Sequence, residues 1–296
     1  MQSIQKRIIQ YASDLHLEFY KTVNFADILK PAAKHLALAG DICPPSHRLF
    51  DDFMKYVSNN WEHVYYIPGN HEYYSTHISK WKYKAPQTMS EIYTNIQHSL
   101  KDFHNIYLLG VSKNGTASTL SHYDATNNMA IIGTTLWSHI PEHDTGFIYS
   151  NMNDYKYIAI DTKTPLHPFD MNEMHNIEYN ALDAEILKWS QLGVSICVIT
   201  HYVPSYSLIT QKYYSSPLNT GFASKSDALI RPCVNTWIFG HTHDTANKLL
   251  GETMCVANPL GYSNDSVSTY KSNATIEISK YTPIKSSNVI EDIEFV

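Results

Sequence analysis

Five short blocks in this chain of 296 residues hold side chains of the kind that bind metal ions: Asp14-Leu15-His16, Gly40-Asp41, Gly69-Asn70-His71-Glu72, Thr200-His201 and Gly240-His241-Thr242-His243. Carboxylate, amide oxygen and imidazole form a mixed hard and borderline donor set that suits Mn, Fe or Zn, with no need for cysteine. In an extended segment residues i and i+2 point to one side. Asp14 with His16, and His241 with His243, therefore each address one centre, while Leu15 and Thr242 turn away. The glycines before Asp41, Asn70 and His241 let the chain turn sharply as it leaves a strand and draw the donors together. One such block arises by chance in many proteins, but an ordered set behind successive strand-like runs does not.

Those runs are the elements that must position the donors. Ile8 to Ala12 precedes Asp14, His35 to Ala39 precedes Asp41, and Val64 to Ile67 precedes Asn70. Later come Ala130 to Leu136, Ser195 to Thr200 before His201, Thr236 to Phe239 before His241, and Met254 to Ala257. Short apolar runs closed by turn residues read as buried strands. Between them, Leu49, Phe50, Phe53, Met54 and Val57 recur at helical spacing, as do Leu182, Ile186, Trp189 and, one turn on, Leu192. Strands alternating with helices predict an α/β fold, in which ligands sit beyond the carboxyl ends of the strands, where the Asp, Asn and His residues fall. The segment 138–176, rich in His, Pro, Tyr and Asn, is expected to be a lid over the site, and 202–226 a second wall. The tail beyond Lys280 is expected to form an edge strand or a docked extension.

Composition narrows the partners. With 43% hydrophobic and 17% charged residues the chain can bury a core, and its length favours one elaborated domain over 1–296. The 22 Lys and Arg against 28 Asp and Glu, with no long run of either sign, argue against a basic nucleic-acid groove or an electrostatic membrane anchor. The N-terminal residues carry no signal-peptide apolar region, and no run is long enough to span a bilayer, so a cytoplasmic protein is expected. Cys43, Cys197, Cys233 and Cys255 form no CxxC pair and read as buried free thiols. Of the 16 histidines, those at 35, 47, 63, 77, 98, 104 and 122 read as solvent or helix-face residues, and His139, His143, His167 and His175 as polar loop surface. The paired tyrosines read mainly as packing under loops, with Tyr73 and Tyr74 the best placed to line a cleft.

Taken together, the blocks resemble the calcineurin-like metallophosphoesterases, whose pattern D-x-H, G-D, G-N-H-[DE], H, G-H-x-H they reproduce in order from Asp14 to His243. The resemblance implies an αββα four-layer sandwich of two mixed β-sheets flanked by helices. It also implies two divalent or transition metal ions: Asp14, His16 and His243 on one, Asn70, His201 and His241 on the other, and Asp41 bridging. Hydrolysis of a small phosphorylated substrate by a metal-bridging hydroxide would follow, with His71 the non-ligand catalytic histidine. Glu72 reads as a structural acceptor. Two positions depart from relatives. Where the phosphoprotein phosphatase branch has an aspartate orienting this histidine, the chain has Pro44. Where many relatives carry Arg in Asn-Pro-x-Gly-Tyr, it has Leu260. The first departure weakens a Ser/Thr phosphoprotein phosphatase reading. The alternatives are a nuclease, which predicts a basic groove, and a non-catalytic scaffold, which predicts lost ligand positions.

Overall fold

All seven apolar runs form strands, and all seven are interior strands of two sheets that lie face to face. The computed structural model describes residues 7–111, 119–262, 265 and 269–280. In the first sheet β1 (Ile8–Ala12), β2 (His35–Ala39), β3 (His63–Ile67) and β4 (Ile106–Leu108) run parallel. In the second, β5 (Ser121–Asp124) and β9 (Ala246–Leu250) run antiparallel to their neighbours, and β6 (Met129–Thr134), β7 (Ser195–Thr200), β8 (Val234–Phe239) and β10 (Thr253–Ala257) run parallel. Antiparallel β11 (Thr275–Glu277) completes the first sheet, giving the orders β11-β1-β2-β3-β4 and β5-β6-β7-β8-β10-β9. The seven predicted strands thus fill every interior position, and the four that no apolar run announces, β4, β5, β9 and β11, are the four sheet edges.

Strand alternation assigns the faces. Ile9, Ala37, Ala39, Tyr65 and Ile67 meet Ile131, Cys197, Ile199, Ile238 and Val256 between the sheets. The helices are α1 (Phe25–Ile28), α2 (Leu49–Asn60), α3 (Met89–Leu100), α4 (Thr145–Asn151), α5 (Asp154–Tyr157), α6 (Pro168–Gln191) and α7 (Asn219–Phe222). Leu36, Leu38, Val64 and Tyr66 share the outer core of the first sheet with α2 and α3, and Ala130, Ile132, Ile196 and Val198 share that of the second with α6. Both faces of each sheet are covered, which is why the interior strands are apolar throughout rather than alternating. The four layers are the αββα sandwich.

The α2 stripe is buried as expected, whereas on α6 only Leu182 and Ile186 are. Leu192 lies past the helix end and is 63% exposed. His35 and His63 also depart from expectation. They open β2 and β3 and stack at 4.9 Å, and His35 is buried with its Nε2 3.4 Å from an Asp124 oxygen. With His122 and Tyr107, they close the sandwich at the end opposite the Asp-x-His loops. The 138–176 segment holds α4, α5 and the first turns of α6, with Ile148, Tyr155 and Ile158 in the core. Among the described residues the cysteines are free, and Cys43, Cys197 and Cys255 are buried while Cys233 is partly so. No helix among them is long and apolar enough to cross a membrane. The tail beyond Lys280 lies outside the described residues.

Candidate metal centre

Each parallel strand of the two sheets' middles ends in a loop that brings a predicted donor to one place: Asp14 and His16 after β1, Asp41 after β2, Asn70 and His71 after β3, His201 after β7, and His241 and His243 after β8. The backbone there is not the extended chain the i, i+2 reading assumed. Asp14, His16, Asp41, His241 and His243 all lie in the left-handed region, with φ between 46° and 73°. Asp and His tolerate that conformation better than most residues. A left-handed residue every second position re-aims the side chains, so Asp14 and His16 share a target through alternating turns rather than through a pleat, whereas His241 and His243 turn to different groups of donors and not to the one centre their spacing suggested. The loops are tied together by main-chain bonds from Asp14 N to Gly40 O at 2.9 Å and from Gly261 N to Asp14 O at 2.9 Å.

The glycines answer to space as much as to conformation. Gly40 has φ +82°, and a Cβ on it would lie 2.5 Å from His201 Nδ1. Gly69 and Gly240 have no positive φ, yet a Cβ on them would come 2.2 Å from Asp41 Oδ1 and 2.6 Å from Asp14 Oδ2.

The seven candidate donors fall into two clusters, and His71 forms a third close group with His16 and Asp41. Asp14, His16 and His243 present atoms within 4.8 Å of one another, and so do Asp41, His201 and His241. Asn70 joins the second, its Oδ1 2.9 Å from His201 Nε2. Asp41 faces both ways: Oδ2 lies 3.8 Å from His16 Nε2 and Oδ1 3.4 Å from His201 Nε2. The imidazoles are held from behind. The Nδ1 of His16 meets Glu18 Oε1 at 3.1 Å, that of His201 the Ala39 carbonyl at 2.9 Å, and that of His243 Asp265 Oδ2 at 2.5 Å. Each Nδ1 thereby carries its proton outward and leaves Nε2 turned to the centre, the tautomer a metal-binding histidine needs.

Electrostatics support this. Burial would raise Asp14 and Asp41, but the neighbouring histidines outweigh it and hold both carboxyls low, Asp41 far below its usual range. Burial would lower His201 and His243, yet Asp41 beside the first and Asp14 beside the second push them up to about 9. Burial, with His201 next, drives His241 far down, and its Nε2 is buried with no partner. The pocket thus concentrates negative charge that only protons or cations can balance. Nitrogens of neighbouring rings face each other at 3.0 and 3.1 Å. The donor set fits metal ions.

His71 stands beside the clusters. Its backbone N–H donates to Asp41 Oδ1 at 2.8 Å, its Nδ1 meets Glu18 Oε1 at 3.1 Å, and its Nε2 meets the Tyr262 hydroxyl at 2.9 Å, with the ring stacked on Tyr74. Burial would lower its pKa, but Asp41 and Glu18 raise it. Glu72 is the structural acceptor expected. It takes the N–H groups of Asp41, Ile42 and Gly69 at 3.0, 2.7 and 2.8 Å and the hydroxyl of Tyr66, and burial, with Asp41 next, raises it to about 7.

Glu18, Asp154, Tyr262 and Asp265 were not anticipated. Asp154, buried at the start of α5, accepts from Asn70 Nδ2 at 2.8 Å and from the hydroxyls of Tyr74 at 2.6 Å and Tyr202 at 3.3 Å. Lone acidic residues in loops give no motif, although Glu18 follows His16 by two positions and could have been found by the same spacing argument.

The clusters open on a cavity of about 840 Å³ lined by Asn70, His71, Tyr74, Asn151 to Asp154, Lys212, Tyr213 and Tyr262, among others. Both predicted walls therefore contribute lining. Tyr74 does so too, but Tyr73 is buried against Trp137. His139, His143, His167 and His175 do not line it. His175 is buried and donates instead to the Trp137 carbonyl at 2.6 Å.

Comparison with known proteins identifies the family and the fold. The family model described as calcineurin-like phosphoesterase matches residues 9–245. An uncharacterised protein of Acanthamoeba polyphaga mimivirus is 24% identical over 275 residues, 88% of this chain and 92% of that protein. Among solved structures, a phosphopantetheinyl hydrolase from Mycobacterium tuberculosis superposes with a TM-score of 0.62 at 15% identity, covering 87% of this chain and 90% of that one. A dimetal phosphatase from Danio rerio does so with a TM-score of 0.50 at 13% identity, covering 86% and 87%. These two likenesses show the fold. The chain belongs to the calcineurin-like phosphoesterase family and is a metal-dependent phosphoric ester hydrolase.

Proposed function

We propose that this calcineurin-like phosphoesterase hydrolyses small phosphate esters, monoesters or diesters of nucleotide-like size. Asp14, His16 and His243 would hold one metal ion, Asn70, His201 and His241 a second, and Asp41 would serve both. The observation that carries the reading is the Asp41 carboxylate, whose two oxygens face His16 at 3.8 Å and His201 at 3.4 Å, one toward each donor cluster. When bound, the ions supply Lewis acidity, which activates water and offsets charge on the phosphoryl oxygens.

The chain's own residues do the rest. His71 gives its Nε2 proton to the leaving-group oxygen, in keeping with a pKa raised by Asp41 and Glu18 against the pull of burial. Tyr262 steers that nitrogen through its hydroxyl. Asn151 to Asp154 and Lys212 to Tyr213 wall the substrate, which makes 138–176 the lid of a single catalytic domain. A volume of about 840 Å³ suits a small molecule, and Lys212 is the one Lys or Arg among the described lining residues, which does not suit a polynucleotide.

The test is hydrolysis of bis-p-nitrophenyl phosphate and p-nitrophenyl phosphate by metal-stripped protein refilled with Mn, beside an Asp41→Asn variant, with metal counted per chain. Turnover restored by Mn, two ions per chain, and loss of both in the variant are expected, and the ratio of rates separates diester from monoester preference. Full activity with one ion per chain would overturn the shared role of Asp41.

A further inference from the structure

Glu18 sits on the single turn Leu17–Phe19 that follows His16, and its carboxylate is turned inward, with 14% of the side chain exposed. One oxygen, Oε1, lies 3.1 Å from Nδ1 of His16 and 3.1 Å from Nδ1 of His71. The two rings meet edge-on at 4.5 Å. A carboxylate oxygen has the lone pairs to accept both N–H groups. The other oxygen, Oε2, is buried with no partner, so nothing draws the carboxylate away from the two rings.

We propose that Glu18 is the positioning residue of this site, fixing the Nδ1-protonated form of His16 and His71 with one carboxylate oxygen. The inference rests on the role given to His71 above. With Nδ1 held, His16 has only Nε2 to offer a metal ion, and His71 has only Nε2 to offer the cavity, where it meets Tyr262. The same oxygen ties the angle of one ring to that of the other, so the proton-handling ring is set relative to the metal-holding one. A histidine anchored this way is pre-aimed, which raises turnover without changing substrate affinity.

The test uses Glu18→Ala in the full chain, with phenyl phosphate as a substrate whose leaving group needs a proton and p-nitrophenyl phosphate as one whose leaving group does not. Loss of an anchoring partner of this kind reduces activity by about 10- to 100-fold. That loss is expected in kcat for phenyl phosphate at saturating metal, with a clearly smaller loss for p-nitrophenyl phosphate, with KM unchanged and with the ion of the Asp14, His16 and His243 cluster bound more weakly. Equal losses on both substrates at saturating metal would mean that Glu18 serves His16 alone and would overturn the proposal, as would wild-type rates in the variant. Nitrogen NMR of the zinc-loaded protein decides the point independently of turnover. His16 and His71 should both carry a proton on Nδ1 in the wild type and lose that preference in Glu18→Ala, and a His71 with no proton on Nδ1 in the wild type would overturn the proposal. An inactive wild type with Nδ1-protonated rings would count against the proposed reaction and leave the positioning role standing.

Discussion

In the two-ion centre proposed above, replacing Asp154 by alanine should weaken one metal ion and not the other. Asp154 is 1% exposed, and its Oδ1 accepts from Asn70 Nδ2 at 2.8 Å while Asn70 Oδ1 faces His201 Nε2 at 2.9 Å. An amide's oxygen and nitrogen are nearly the same size, so Asn70 can present either to the centre unless something fixes it, and the Asp154 carboxylate fixes it oxygen-first. A hydrogen bond to a charged acceptor is worth about 1.5–3 kcal/mol, equivalent to a factor of roughly 10–100 in an equilibrium constant, which agrees with the usual effect of removing an outer partner. The Asp154→Ala variant should bind the ion of the Asn70, His201 and His241 cluster about 10- to 100-fold more weakly, while the Asp14, His16 and His243 cluster keeps its affinity. It should also melt lower, because the hydroxyls of Tyr74 and Tyr202 lose the acceptor they share. Asp154→Asn retains an oxygen for Asn70 and Tyr74 and should fall by less than about tenfold, since only the charge is lost. Stepwise titration of stripped protein with metal, followed by calorimetry, resolves the two affinities. Equal weakening of both ions, or an alanine variant that binds like the wild type, would refute the reasoning.

Other perturbations probe the rest of the centre. Asp265→Ala frees His243 Nδ1, held at 2.5 Å, and should weaken the opposite ion by about 10- to 100-fold in the same titration. Gly40→Ala combines about 1–2 kcal/mol of left-handed strain with a Cβ 2.5 Å from His201 Nδ1, so it should lower the melting temperature and the metal content together. Acid stability should depend on His35, which burial, and then the charge of His63, lower from 6.5 to about 4. The folded protein keeps this ring neutral while the unfolded chain protonates it, so the stability it permits is complete above about pH 6.5 and falls by about 3 kcal/mol as the pH drops toward 4. Urea unfolding across that window should show a shallower acid slope in His35→Gln, and an unchanged slope would remove His35 from the account.

The seven candidate metal donors and His71 were legible in the sequence because chemistry fixes their types and each follows a strand buried on both faces, which must be written as an unbroken apolar run. The interior of both sheets was legible for the same reason. The edge strands β4, β5, β9 and β11 were not, since they are short and partly exposed: β9, for one, reads Ala-Asn-Lys-Leu-Leu with its middle residues exposed. The residues behind the donors were hidden for a different reason. Asp154 reaches Asn70 across 84 positions and Tyr262 reaches His71 across 191, distances over which a sequence carries no local pattern. The sequence names the donors but not the left-handed turns that aim them, because a two-residue spacing fits a pleated strand as well as it fits alternating turns. Only the packing of the two sheets, which brings the ends of β1 to β3 against those of β7 and β8, decides that Asp41 stands between the clusters and that Glu18 holds both His16 and His71.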